Sequence, residues 1–278
     1  IACTNRFRRA IERSDPDIVV SVHPLCQHIC IPIIKKMNEK RPQGRSSIPF
    51  AIVVTDLGGA HETWFHKGAD VIFVPTNAVR KIAIKAGISR SKITQHGLPV
   101  RPAFWTAPES KSKLRNKLNL KQGINTVLLM GGGDGVGGLI PIATELGRKL
   151  STCKENTQMV VICGHNKKVT QQLRKAPRFP KVSMRVLGFC NNVHQYMGAS
   201  DCLITKAGPG TIAEAMTRGL PIILSSYLPG QEQGNVPYVV NGGFGMYSGN
   251  RPKLVAEHVF KLFSSEILLK SMSANSLM

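Results

Sequence analysis

The segment ITKAGPGTIAEAMTRGLPIIL, residues 204–224, passes from an apolar run through a Gly-Pro-Gly turn into a helical pattern and back into an apolar run. The first run, 202–205, and the last, 221–224, are short and apolar at successive positions instead of alternating. Strands of that kind are buried on both faces, and a helix between two of them makes them parallel neighbours. One such strand–helix–strand unit, read outward, decides the fold.

The same alternation recurs along the chain. Strands are predicted at 17–21, 50–55, 71–74, 126–130, 159–163 and 182–187, with helices at 25–38, 77–86, 140–150, 168–175, 194–198, 211–218 and 235–241. The stretch His96-Gly97-Leu98-Pro99-Val100-Arg101-Pro102 interrupts the pattern and reads as a linker. The expectation is an α/β chain of two doubly wound units, 1–103 and 104–278, with the first incomplete. In such sheets ligands bind beyond the carboxyl ends of the strands.

Composition sets the outer bounds. A chain of 278 residues with 42% hydrophobic residues has room for about two domains with their own cores. The net charge is +21, and it is spread: 16 basic and 7 acidic residues lie up to Phe104, with 21 and 9 beyond it. This balance favours polyanionic partners, either through a solvated basic surface or through a membrane-facing patch. Aromatic residues make up 6%, too few for a base-stacking platform, so nucleic acid is not an expected partner. Seven cysteines form no C-x-x-C pair and suit a reducing compartment. Cys26 and Cys30, near His23 and His28, read as core residues on one helix face, with a metal cluster as the alternative. No apolar run approaches the roughly 20 residues of a membrane span. The chain begins at Ile1, and the expectation is a fragment whose targeting segment lies upstream.

Three strand ends carry candidate chemistry. After 126–130 comes Gly131-Gly132-Gly133-Asp134-Gly135-Val136-Gly137-Gly138, with G-x-G-x-x-G spacing at Gly133, Gly135 and Gly138. The next strand lacks the acidic residue of a dinucleotide site, and no Gly-Lys-Ser/Thr follows for a Walker loop. What remains is a loop that a ligand can approach closely, or a plain turn. After 202–205, Gly208-Pro209-Gly210 leads into a helix at Thr211, and free amides at a helix start attract anions. Thr211-x-x-Glu214 fits a capping box; alternatively, the Glu214 carboxylate accepts hydrogen bonds from a ribose diol. After 221–224, the stretch 225–235 carries Gln231, Glu232, Gln233 and Asn235. Amides and a carboxylate together match the donors and acceptors of sugar hydroxyls, or else form a polar loop.

Together these motifs, with VLLMGGGDGVGG, TDLGGAHETWFHKGAD, HGLPVRPAF and GQEQGNVPYVV, resemble the monogalactosyldiacylglycerol synthases, relatives of the bacterial glycosyltransferase that makes lipid II. The resemblance covers nearly the whole chain in order. It implies a GT-B fold, two Rossmann-like domains facing a cleft, with acceptor on the N-terminal side and nucleotide sugar on the C-terminal side. It implies inverting transfer of galactose from UDP-galactose to 1,2-diacylglycerol, with no cofactor or metal required, at an anionic membrane surface of the plastid envelope, peripherally bound. The open alternatives are another UDP-sugar glycosyltransferase with a different lipid acceptor or sugar, and a non-catalytic UDP or anionic-lipid binding protein.

Carried over to this sequence, the resemblance assigns Gly208, Pro209, Gly210 and Thr211 to the UDP phosphates and Glu214 to the ribose. Gln231 and Glu232 fall to the galactose hydroxyls, the Phe189 backbone to the uracil, and Gly132 and Gly133 to the facing wall. The catalytic base is expected upstream of Ile1. Asp56 and His61 are the accessory candidates, each alternatively a cap or a surface contact. Trp64 and Phe65 are expected as acceptor or membrane contacts, with a buried Phe65 covered by Trp64 as the alternative. The resemblance also implies a C-terminal helix beyond Met278 and poor turnover by these residues alone.

Overall fold

The computed structural model describes residues 2–131 and 138–277. The chain divides into two compact units, Ile1–Pro99 and Val100–Met278. The division falls after Pro99, slightly upstream of the expected 103/104 junction, and the turn at Pro102–Phe104 belongs to the second unit.

In the first unit, α1 (Ala2–Ser14) leads to β1 (Val19–Ser21), α2 (Gln27–Glu39), β2 (Phe50–Val53), β3 (Val71–Val74), α3 (Asn77–Lys85) and β4 (Ile93–Gln95). The four strands form a parallel sheet in the order β1-β2-β3-β4. Its core gathers Ile31, Ile33 and Ile34 of α2, Phe50 and Ile52 of β2, and Ile72 and Val74 of β3. Thr76 starts α3 by accepting a hydrogen bond from the Val79 amide at 3.2 Å, while its own hydroxyl donates to Leu57 O at 2.6 Å.

The second unit runs α4 (Lys111–Lys117), β5 (Asn125–Met130), α5 (Leu139–Leu150), β6 (Thr157–Ile162), α6 (Lys167–Arg174), β7 (Val182–Leu187), α7 (Val193–Ala199) and β8 (Cys202–Lys206). It continues with α8 (Pro209–Met216), β9 (Ile222–Ser226), α9 (Asn235–Asn241), β10 (Gly245–Tyr247), α10 (Pro252–Phe263) and α11 (Glu266–Ser276). Every named pairing is parallel, in the order β10-β9-β8-β5-β6-β7. The chain winds outward from β5 through β6 to β7, then returns to the other side of β5 with β8 and winds outward again. That reversal between β5 and β8 is the switch point at which open α/β sheets bind ligands, beyond the strands' carboxyl ends.

The continuous apolar strands explain the layering. All six residues of β6 are buried, as are five of six in β5, so helices must cover both faces. Helix α5 supplies one cover: Leu139, Ile142, Ala143, Leu146 and Leu150 recur at helical spacing and are buried. Leu128, Leu129, Leu146 and Leu150 are essentially sealed from water, each worth about 2 kcal/mol by transfer. Gly147 on the same helix meets the Phe179 ring, which lies 2.3 Å from where a Cβ would stand. A substitution there must move an aromatic ring in the core.

Candidate functional site

The turn after β8 is built by an irregular strand end and an early helix start. The β8–β9 register shifts between Thr205 and Lys206, so Lys206 pairs with Ser226. Such an irregularity re-aims the following side chains. Ala207 N then donates to Ser226 O and Gly208 N to Lys206 O, both at 2.8 Å. Gly208 is the N-cap of α8 and offers no side-chain cap, and Pro209 occupies the first helical position. The expected start at Thr211 moves upstream because proline presets the dihedral a first helical residue needs and has no amide to lose. This removes the capping-box alternative, since Glu214 falls beyond the first turn. Ile212 N donates to Gly208 O at 3.0 Å, whereas the Gly210 and Thr211 amides have no partner among the described residues. Two free donors with the partial positive charge of a helix start face outward here. A Cβ on Gly210 would meet nothing within 4 Å among the described residues.

Glu214 lies on the same helix, 7% exposed, and its carboxylate is not alone. Arg101 Nε donates to Oε1 at 2.6 Å and Nη2 to Oε2 at 2.8 Å. This hydrogen bond is the main cause holding the Arg101 pKa above its ordinary value. Arg101 in turn belongs to a fastened segment. Phe104 is buried, with the Arg101 and Arg218 guanidinium carbons 5.4 and 4.9 Å from its ring centre. Arg218 donates to Ala103 O at 2.7 Å and Thr106 O at 3.0 Å. The His194 ring meets Phe104 edge-on, and burial, then Arg218 and Arg101, push its pKa down.

Glu232, also 7% exposed, lies in the loop between β9 and α9. Its Oε1 pairs with Lys206 Nζ and its Oε2 accepts the Leu228 amide at 2.9 Å. A Cβ on Gly208 would lie 3.5 Å from Glu232 Oε1, so this carboxylate borders the turn that opens α8. Asn235 Nδ2 donates to Ala207 O at 3.1 Å and ties the two loops together. Gln231 is exposed beside them.

At the other side of the switch point, Phe189 follows β7 and is 57% exposed. It stacks on His165, which follows β6, with ring centres 4.3 Å apart and planes at 15°. The next residue, Cys190, is close enough to Arg101 for each to influence the other's ionisation. Phe189, Glu214, the α8 start and Glu232 therefore all lie at the carboxyl end of the second sheet, on both sides of its switch point. Gly132 and Gly133 lie outside the described residues. Sequence reading gave no role to Arg101, Lys206 or His165. The available signal for Arg101 was a basic residue ahead of a proline, which holds its backbone extended.

In the first unit the aromatic expectation is corrected. Trp64 is 2% exposed and Phe65 8%, and both belong to the core, not to an exposed anchor. The reason is a partner for the indole: Trp64 Nε1 donates to Oδ2 of the half-buried Asp56 at 2.8 Å, so the whole ring can leave water. Asp56 thereby serves Trp64. His61 caps the turn Glu62–Trp64, its Nδ1 accepting the Thr63 amide at 3.3 Å.

Elsewhere, no group of three or more His, Cys, Asp or Glu residues gathers to hold a metal ion among the described residues. Cys30 is buried, its thiol pushed up to about 11 by burial and then by Cys26. A groove of about 710 Å³ lined by Lys121, Arg174, Arg178 and Lys181 opens near the amino end of β7, the wrong end of the sheet for the residues above. No described helix is long and apolar enough to cross a membrane.

Two parallel α/β units, with an uncapped helix start and two braced carboxylates at a switch point, define a GT-B glycosyltransferase fold. Solved structures agree on the fold. MurG of Acinetobacter baumannii superposes with a TM-score of 0.68 at 15% identity, covering 99% of this chain and 72% of that one. Anabaena HepE in complex with UDP-glucose gives 0.57 at 14% identity, covering 99% and 76%. Family models match as monogalactosyldiacylglycerol synthase over residues 2–100 and as the glycosyltransferase family 28 C-terminal domain over 126–276. The chain is 45% identical over 276 residues to the chloroplastic monogalactosyldiacylglycerol synthase of Spinacia oleracea, covering 97% of this chain and 51% of that protein. It is 44% identical to monogalactosyldiacylglycerol synthase 3 of Arabidopsis thaliana, covering 94% and 56%. Through residues 126–276 the chain belongs to glycosyltransferase family 28; it is similar to the monogalactosyldiacylglycerol synthases and spans about half the length of the curated relatives it matches.

Proposed function

We propose that the second unit binds UDP-galactose for inverting transfer of the sugar to 1,2-diacylglycerol, yielding monogalactosyldiacylglycerol. The observation that carries this reading is the pair of unpartnered amides at Gly210 and Thr211, with Glu214 and Glu232 on either side. The diphosphate would sit on these amides and on the Thr211 hydroxyl, with Gly208, Pro209 and Gly210 clearing its approach. Glu214 would take the ribose diol and Glu232 with Gln231 the galactose hydroxyls. The uracil would lie against the Phe189 backbone beside the His165 ring. Fixed donors aimed at the leaving diphosphate stabilise charge as it develops, a contribution for which the protein needs no cofactor in this proposal. Inversion needs a base on the opposite face of the sugar to take the acceptor proton. No described residue is given that role. Asp56, whose Oδ2 accepts from Trp64 Nε1, and His61 are retained as accessory candidates.

The exposed Arg6, Arg8, Arg9 and Arg13 of α1 fit peripheral attachment to an anionic membrane, proposed as the plastid envelope by analogy with the chloroplastic relatives. Calorimetric titration of the 278-residue chain with UDP tests the donor site. Competition among UDP-galactose, UDP-glucose and UDP-N-acetylglucosamine then tests the sugar, with UDP-galactose expected to compete best. Absence of UDP affinity in folded protein would overturn the proposal. A preference for another UDP-sugar would keep the donor site but replace galactose.

A further inference from the structure

The pair Arg101–Glu214 does more than the donor reading asks of it. A ribose diol needs only an acceptor with two oxygens, and a glutamate supplies that by itself. Here the carboxylate is 7% exposed and gripped on both oxygens by one planar fork. A carboxylate has about four acceptor directions. Arg101 uses one on each oxygen, which fixes the plane of the carboxylate and leaves acceptor capacity for a ribose hydroxyl.

The arginine is itself fixed by a bracket. Its backbone is extended, φ −61° and ψ 145°, as the proline that follows it requires. Phe104 is wedged near the guanidinium groups of Arg101 and Arg218, and Arg218 holds the carbonyls of Ala103 and Thr106. Residues 101–106 thus form a structure whose free end sets the plane of one carboxylate. Lysine could match the charge but not the two-point geometry.

We infer that Arg101 is a positioning residue that makes this chain distinguish ribonucleoside from deoxyribonucleoside diphosphates, acting through Glu214. The inference rests on the reading of Glu214 as the ribose acceptor. The test measures the affinities of the 278-residue chain and its variants for UDP and for 2′-deoxy-UDP. The wild-type chain should prefer UDP by about tenfold or more, the range of one hydrogen bond to a charged group. Arg101→Gln should weaken UDP markedly, 2′-deoxy-UDP much less, and bring the ratio close to one. Arg101→Lys should recover part of the UDP affinity but little of the ratio. Arg218→Gln loosens the segment that holds the fork; it should lower Tm and shift the ratio in the same direction as Arg101→Gln, but by less. A ratio unchanged in Arg101→Gln, or UDP bound more tightly by it, would overturn the inference while leaving the donor site intact. Failure of the wild-type chain to bind UDP would remove both.

Discussion

Glu214 and Glu232 are equally buried and each faces a single cation, yet they are held in different ways. Glu214 depends on a residue 113 positions away, and one rigid fork takes both its oxygens. Glu232 is braced locally, one oxygen by Lys206, 26 positions away, and the other by the amide of Leu228 within its own loop. An ammonium on a flexible stem changes partners more readily than a guanidinium fork. In the proposed donor site this difference would put rigidity at the nucleotide end and adjustability at the sugar end. A donor site built this way would keep one nucleotide while its sugar preference is tuned by a short loop.

The largest expected effect falls between the two carboxylates. Gly210→Val adds a branched side chain where a Cβ meets nothing within 4 Å, so the fold should tolerate it and Tm should change little. The same side chain stands before the free amides of Gly210 and Thr211. UDP affinity should fall by about a hundredfold or more, comparable to losing a fixed anion donor. Intact affinity would show that the diphosphate lies elsewhere and would make the two carboxylates unrelated.

Next comes Glu214→Ala. It leaves the Arg101 guanidinium without its partner, although that side chain is half exposed and can turn to water. Stability should fall by about 1–2 kcal/mol, the range of a lost charged hydrogen bond discounted for exposure. The preference for UDP over 2′-deoxy-UDP should vanish. Glu232→Gln should act on the other end. UDP affinity should stay near wild type, while any gain of UDP-galactose over UDP should shrink by about tenfold, as for one hydrogen bond to a charged group. If both substitutions damage UDP and UDP-galactose binding equally, the division between a rigid nucleotide end and an adjustable sugar end fails.

Much of this arrangement was legible in the sequence because it is local. Continuous apolar runs marked β5, β6, β8 and β9, and glycine with proline marked the turn after β8. Glu232 and its amide-rich loop could be found for the same reason. The start of α8 was misplaced because a capping-box spacing and a proline at the first helical position compete, and proline prevailed. Arg101 carried no local mark of its partner: its pairing with Glu214 spans 113 positions, which no periodicity records. Trp64 failed differently. An aromatic beside Phe65, His66 and Lys67 has the composition of a surface anchor, and only the tertiary acceptor, Asp56, explains its burial.

The smallest expected effect is on pH dependence, and it separates the two ends again. His194, against the Phe104 bracket, and His258, on α10 and hydrogen-bonded to Ser248 at 3.0 Å, both have pKa values lowered, first by burial and then by cations. Arg218 and Arg101 act on His194; Lys261 and Arg251 act on His258, with Glu257 opposing. The folded chain therefore binds these protons more weakly than the unfolded chain does. Their stability is complete above the unfolded histidine value of about 6.5 and is lost as pH falls through the folded values. Tm should decline on acidification across this window by less than Glu214→Ala costs. His258→Gln should flatten that decline without altering nucleotide selectivity. His194→Gln should flatten it too, but protonation of His194 places a further charge near Arg101, which holds Glu214, and near Arg218. The ratio of UDP to 2′-deoxy-UDP affinity should therefore drift with pH in the wild-type chain and stop drifting in His194→Gln. A drift that persists in His194→Gln and disappears in His258→Gln would place the sensitive region behind β9 and reverse the comparison.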